Sequence, residues 1–110
     1  MLDKGLMAGS VDMMILRLLR EEDLYGYQII DLLRQRSQNV FELKAGTLYP
    51  LLHTMEEKGL ISCYDKSIHG RVRKYYHITD AGEQLFAEKK EKWALFTKAV
   101  ENVMAEACYA

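Results

Sequence analysis

Four cations, Lys66, Arg71, Arg73 and Lys74, stand close along the chain with Tyr75, Tyr76 and His77. Arginine and lysine grip phosphate oxygens, and tyrosine offers a hydroxyl or a ring to sugar and base. That mixture points to a polyanion rather than to catalysis. The cationic excess is local. Residues 44–78 carry six Lys/Arg against three Asp/Glu, residues 1–43 five against seven, and residues 79–110 four against six. The 110-residue chain as a whole has a formal charge of −1, so the middle third would have to hold any anionic partner. Read from charge alone, a solvated surface is the plainer account.

Other chemistries find less support. His53, His69 and His77 lie in the same third with Cys63, at spacings that match no metal-ligand pattern. No Gly-rich phosphate loop, paired-carboxylate motif or nucleophile motif is present. The expectation is no enzyme, no metal and no cofactor. Cys63 and Cys108 sit in no paired motif and read as reduced thiols in the cytoplasm. The opening MLDKGLMAGS lacks the apolar run of a signal peptide. No segment approaches the roughly 20 apolar residues of a membrane helix.

A second candidate surface lies in KAGTLYPLLHTMEEKGLI, Lys44 to Ile61. Leu48, Leu51, Leu52 and Met55 recur at i, i+3, i+4 and i+7, a helical stripe. The opposite face carries Gly46, Tyr49, Pro50 and His53, with Thr47 and Thr54 at its margin. Small residues let a helix start approach phosphate, and its free N–H groups favour an anion. Thr47 and Tyr49 can donate to phosphate, and His53 can read a base edge. This set lacks the Arg, Gln and Asn of strong direct readout, so positioning and DNA shape should dominate. Pro50 is the only proline of the chain. If Thr47 is the N-cap, Pro50 is the third helical residue and its missing N–H is harmless. If the helix starts near Lys44, Pro50 removes an internal bond to Gly46.

The elements that must position these residues follow from periodicity. Ser10 precedes Val11, Met14, Ile15, Leu18 and Leu19 at helical spacing. A second helix is expected from about Leu24 to Ser37, with Gly26 permitting close helix–helix approach. The third should stop at Gly59. RVRKYYHI then alternates, with Val72, Lys74, Tyr76 and Ile78 on one face and Arg71, Arg73, Tyr75 and His77 on the other. With LISCY before it and a polar loop over Asp65–Gly70, this reads as a hairpin. Thr79 or Asp80 caps a last helix running to about Ala107. Along it Phe86, Trp93, Val100 and Ala107 recur every seven residues, Phe96, Val103 and Met104 extend the seam, and Lys89 or Lys90 interrupts it. Such a seam meets a partner helix or folds back on helix one.

Three short helices followed by a β-ribbon make a mainly α (α+β) winged helix-turn-helix. In that arrangement the third helix enters the major groove and the hairpin lies along the backbone or minor groove. The chain divides into an N-terminal arm (1–9), a winged helix-turn-helix domain (10–78) and a C-terminal dimerisation helix (79–110). A winged helix used only for protein–protein contact is the competing architecture, and it would carry a neutral wing.

LYGYQI (Leu24–Ile29), GTLYPLLHTMEEKGLI (Gly46–Ile61) and GRVRKYYHIT (Gly70–Thr79) together resemble the PadR family of bacterial transcriptional regulators. The resemblance spans about residues 10–82, and the single terminal helix is similar to the smaller subgroup. It departs at Lys44, where the family often has Ser or Asn as N-cap. The resemblance implies a homodimeric repressor of a double-stranded DNA operator, joined by the final helix. Carried onto this sequence, the DNA contacts would be Lys44, Gly46, Thr47, Tyr49, Pro50, His53, Lys66, Arg71, Arg73, Lys74 and Tyr75. It also implies release of DNA by a small molecule. Trp93, with Phe96, Met14, Leu18 and Met7 as neighbours, is either an ordinary packing knob or one wall of a pocket for a planar aromatic effector.

Overall fold

A computed structural model describes residues 9–106 of the chain. Helix α1 (Val11–Leu19) buries Met13, Ile15, Leu16, Leu18 and Leu19. Strand β1 is the dipeptide Leu24–Tyr25, and α2 runs Gly26–Arg36. Helix α3 (Ala45–Glu57) buries Leu48, Leu52 and Met55, three members of the expected stripe, while Leu51 is half-buried at its edge. Strands β2 (Ile61–Ile68) and β3 (Arg71–Ile78) follow, and α4 covers Asp80–Met104. The sheet order is β1–β3–β2, antiparallel throughout. Its inner face supplies Leu24, Ile61, Tyr76 and Ile78 to one core shared with α1, α2 and α3.

The second helix starts two residues later than expected. Leu24 and Tyr25 pair with Tyr76 and Tyr75 as a third strand instead of opening α2. Gln28 marks the true start: its side chain accepts the Tyr25 N–H at 3.0 Å, as a residue three places into a helix does. The hairpin also differs. No long loop spans Asp65–Gly70; the strands run through to Ile68 and Arg71 around the two-residue turn His69–Gly70. Both turn residues have positive φ, 54° and 75°, the requirement of a type I′ turn.

Helix α3 begins at Ala45, with Lys44 in the cap position and no side-chain cap bond. Pro50 is therefore the sixth helical residue, and the Gly46 carbonyl loses its usual N–H donor. Both residues are exposed, so water can serve that carbonyl. The helix ends as the sequence indicates. Gly59 takes φ 75°, and bonds from Gly59 N–H to the Glu56 carbonyl (2.9 Å) and Leu60 N–H to the Met55 carbonyl (3.0 Å) close the turn.

Thr79 caps α4, its hydroxyl accepting the Gly82 N–H at 3.1 Å. Gly82 sits against the Leu60 carbonyl with no room for a Cβ. Lys89 pairs with Asp12 at 2.5 Å, and Arg20 pairs with Glu83 at 2.7 Å. The cation that interrupts the heptad is thus an anchor to α1. Phe86, expected on the dimer seam, is instead buried within the single chain, with the Arg20 guanidinium 5.0 Å from its ring centroid. From Lys90 to Met104 no residue of α4 is buried.

Candidate nucleic-acid interface

The outer face of α3 is formed by Gly46, Thr47, Tyr49, Pro50 and His53, all exposed, with Lys44 exposed just before it. His53 lies 3.5 Å from Glu57, one turn along the same face. Tyr49 leans back. Its ring and hydroxyl pack on Gly26 so closely that a Cβ there would overlap them. A glycine at the start of α2 thereby sets how near that helix comes to α3.

The wing presents two faces. Register places Tyr64 opposite Tyr75, Lys66 opposite Arg73 and Ile68 opposite Arg71. Arg71, Arg73 and Lys66 therefore share the outer face. Lys74 lies on the other face, near Cys63 and Glu56, so the four wing cations do not form one patch. The Cys63 thiol donates to the Glu56 carboxylate at 2.5 Å. That bond and partial burial push the thiol above its ordinary range and keep it protonated.

Tyr75 was expected to reach DNA directly, but its residue is only 5% exposed. It lies between Tyr25, whose ring it meets edge-on at 5.4 Å, and Tyr64, which stacks on it at 5.9 Å. The Arg73 guanidinium sits 4.4 Å from the Tyr25 ring centroid, and the Lys66 ammonium 5.3 Å from that of Tyr75. Tyr25, Gln28, Ile68, His69, Arg71, Arg73 and Tyr75 line one cleft beside the start of α2.

Asp23 ties the wing root together. It accepts the Tyr64 hydroxyl at 2.6 Å and meets His77 Nδ1 at 2.8 Å. Burial pushes its carboxyl up, but the Tyr64 hydroxyl and the His77 ring outweigh this and hold it below its ordinary value. A depressed carboxyl adds stability above its unfolded pKa, near 3.9, and loses it as pH falls through the lower folded value. Denaturant midpoints from pH 7 down to about 3 should fall on the acid side. Asp23→Asn should start lower, and the gap should begin to close below the unfolded carboxyl pKa; parallel curves would remove Asp23 from the account.

Sequence reasoning missed Tyr25, Gln28, Asp23 and Tyr64. The His-Gly turn was a usable signal for one of them: once Ile68 and Arg71 flank it, Tyr64 must face Tyr75. Of the candidate effector residues, Met14 and Leu18 line a hollow with Leu32, Leu33 and Phe41, while Trp93 and Phe96 stand on α4, 50% and 68% exposed, and line no part of it. Met7 and Ala107 lie outside the described residues. Among those residues no group of three His, Cys, Asp or Glu is placed to hold a metal, and no helix is long and apolar enough to cross a membrane.

Helices feeding a β-ribbon with a cationic outer face define a winged-helix protein of the class that regulates transcription. The chain belongs to the PadR-like family of transcriptional regulators, whose family model matches residues 15–88. A transcriptional regulator from Clostridium thermocellum is similar at TM-score 0.85 and 33% identity, covering 92% of this chain and 99% of that one. A PadR-like transcriptional regulator from Bacillus cereus is similar at TM-score 0.84 and 31% identity, over 94% and 99%. An uncharacterized protein of Lysinibacillus sphaericus is 34% identical over 105 residues, 94% of this chain and 96% of that protein.

Proposed function

We propose that the chain acts in the cytoplasm as a homodimer that binds a double-stranded DNA operator and represses transcription from it. A small planar aromatic ligand releases it. One observation carries the DNA reading: the exposed face of α3 and the cationic wing flank the same junction, where Gly26 touches Tyr49 and the adjacent Tyr25 underlies Arg73. Helix α3 supplies groove contacts through Thr47 and His53, with Lys44, Gly46, Tyr49 and Pro50 shaping its approach. Arg71, Arg73 and Lys66 supply phosphate contacts, with Lys74 on the other edge of the hairpin. Family membership supports DNA as the target.

Dimerisation rests on the free end of α4, where Trp93, Phe96, Val100, Val103 and Met104 are all exposed. Trp93 is the natural wall for a flat ligand between two copies, and Met14 and Leu18 of α1 would complete that pocket only in the assembled dimer.

The test is an electrophoretic shift with the DNA upstream of the protein's own gene. A shift at about 50 mM salt that weakens steeply by about 200 mM is the expected result. Absence of a shift at both concentrations would favour a module that contacts only proteins. Planar aromatic compounds should quench Trp93, the only tryptophan, and silence across a diverse panel would remove the effector.

A further inference from the structure

Resting on the DNA reading, we infer that the tyrosine row Tyr25–Tyr75–Tyr64 is a positioning platform for the wing cations, and that Tyr25 holds Arg73 ready for a backbone phosphate. The three rings come from three strands, and the register puts Tyr75 directly opposite both Tyr25 and Tyr64. The row is fixed at one end, where the Tyr64 hydroxyl is bound to Asp23 at 2.6 Å. At the other end the Arg73 guanidinium lies 4.4 Å from the Tyr25 ring centroid, well inside the range of a cation–π contact.

The geometry suits a phosphate grip. A guanidinium carries all its N–H donors in its own plane. A ring beneath the cation occupies a π-face and consumes none of them. Arg73 is half-buried where its neighbour Arg71 is exposed, as expected of a side chain already held in place. A free arginine loses much rotamer freedom when it closes on phosphate; one held in advance loses less. Tyr25 touches no DNA in this scheme and acts through Arg73.

The test is a double-mutant cycle on binding of the upstream duplex at fixed salt. Tyr25→Leu should weaken binding roughly two- to fivefold per wing, the size of one cation–π contact, and so about five- to twenty-five-fold for a dimer that seats both wings. It should have no further effect in an Arg73→Ala background, and Tyr25→Phe, which keeps the ring, should restore affinity. Equal loss from Tyr25→Leu in both backgrounds, or none in either, overturns the positioning role while leaving DNA binding intact. No salt-dependent binding by the unaltered protein overturns the DNA reading and this inference with it. Arg73 side-chain protons should also show an upfield ring-current shift in the free protein. If Tyr25→Leu does not fold, an unshifted Arg73 resonance in the unaltered chain overturns the inference.

Discussion

Replacing Lys66, Arg71 and Arg73 together with alanine is expected to weaken duplex binding by about four decades at 0.15 M salt. Each phosphate contact contributes roughly −0.9 to the slope of log K against log salt, so losing three on each of the two wings of a dimer should flatten it by about 5.4. That difference amounts to roughly two decades per wing at physiological salt. Fold stability should change little, because Lys66 and Arg71 are exposed, Arg73 is half-buried, and none is in the core. The measurement is a salt titration of binding by fluorescence anisotropy, with a thermal melt as control. His53→Ala should behave differently. It should narrow the gap between the upstream DNA and a scrambled duplex without altering the slope, because a base-edge contact carries sequence information and a phosphate contact does not. An unchanged slope in the triple variant would mean that the outer face of the wing does not meet phosphate.

How much of this was legible in the sequence depends on how local each feature is. The stripe of Leu48, Leu52 and Met55, the stop at Gly59 and the cap at Thr79 rest on spacing within one or two turns, and the structure follows them. Strand β1 was not legible, because two residues carry no period and Leu24–Tyr25 fits the apolar side of a helix equally well. The turn was hidden by its polar neighbours, since Asp65, Lys66 and Ser67 look like loop yet sit on a paired strand. The site was legible in its cations and not in their supports. Tyr64 and His77 reach Asp23 across 41 and 54 residues, and sequence periodicity says nothing about such distances. Alternation placed Tyr75 with Arg71 and Arg73 correctly, but it could not show that Tyr25 would close over it. The sequence shows the α4 heptad interrupted at Lys89 or Lys90, and the structure divides it at Lys89. Phe86 and Lys89 are used within the chain, and only the part from Trp93 onward is free.

That division makes the second large effect specific. Phe96→Asp with Val103→Asp is expected to raise the dimer dissociation constant about a thousandfold or more. In the single chain both side chains stand largely in water, 68% and 82% exposed, so the substitutions should cost the monomer little. In a two-fold dimer each substitution occurs twice on the same interface. Losing the burial of Phe96 alone, at about 2 kcal/mol per copy, gives roughly 4 kcal/mol, which is three decades in affinity. Burying the new carboxylates would add to this. Sedimentation at micromolar protein should show a monomer with native helix content. Leu95→Asp is the matched control. Leu95 is just as exposed, at 67%, but lies about 160° around the helix from Trp93 and about 100° from Phe96, off the seam. It should leave the dimer intact. Loss of the dimer should also lower DNA affinity, since two winged helices linked by α4 would engage adjacent half-sites about 34 Å apart and a monomer would engage one. A doubly substituted chain that remains dimeric would place the interface away from the free end of α4, with the apolar hollow between α1 and α2 as the next surface to test.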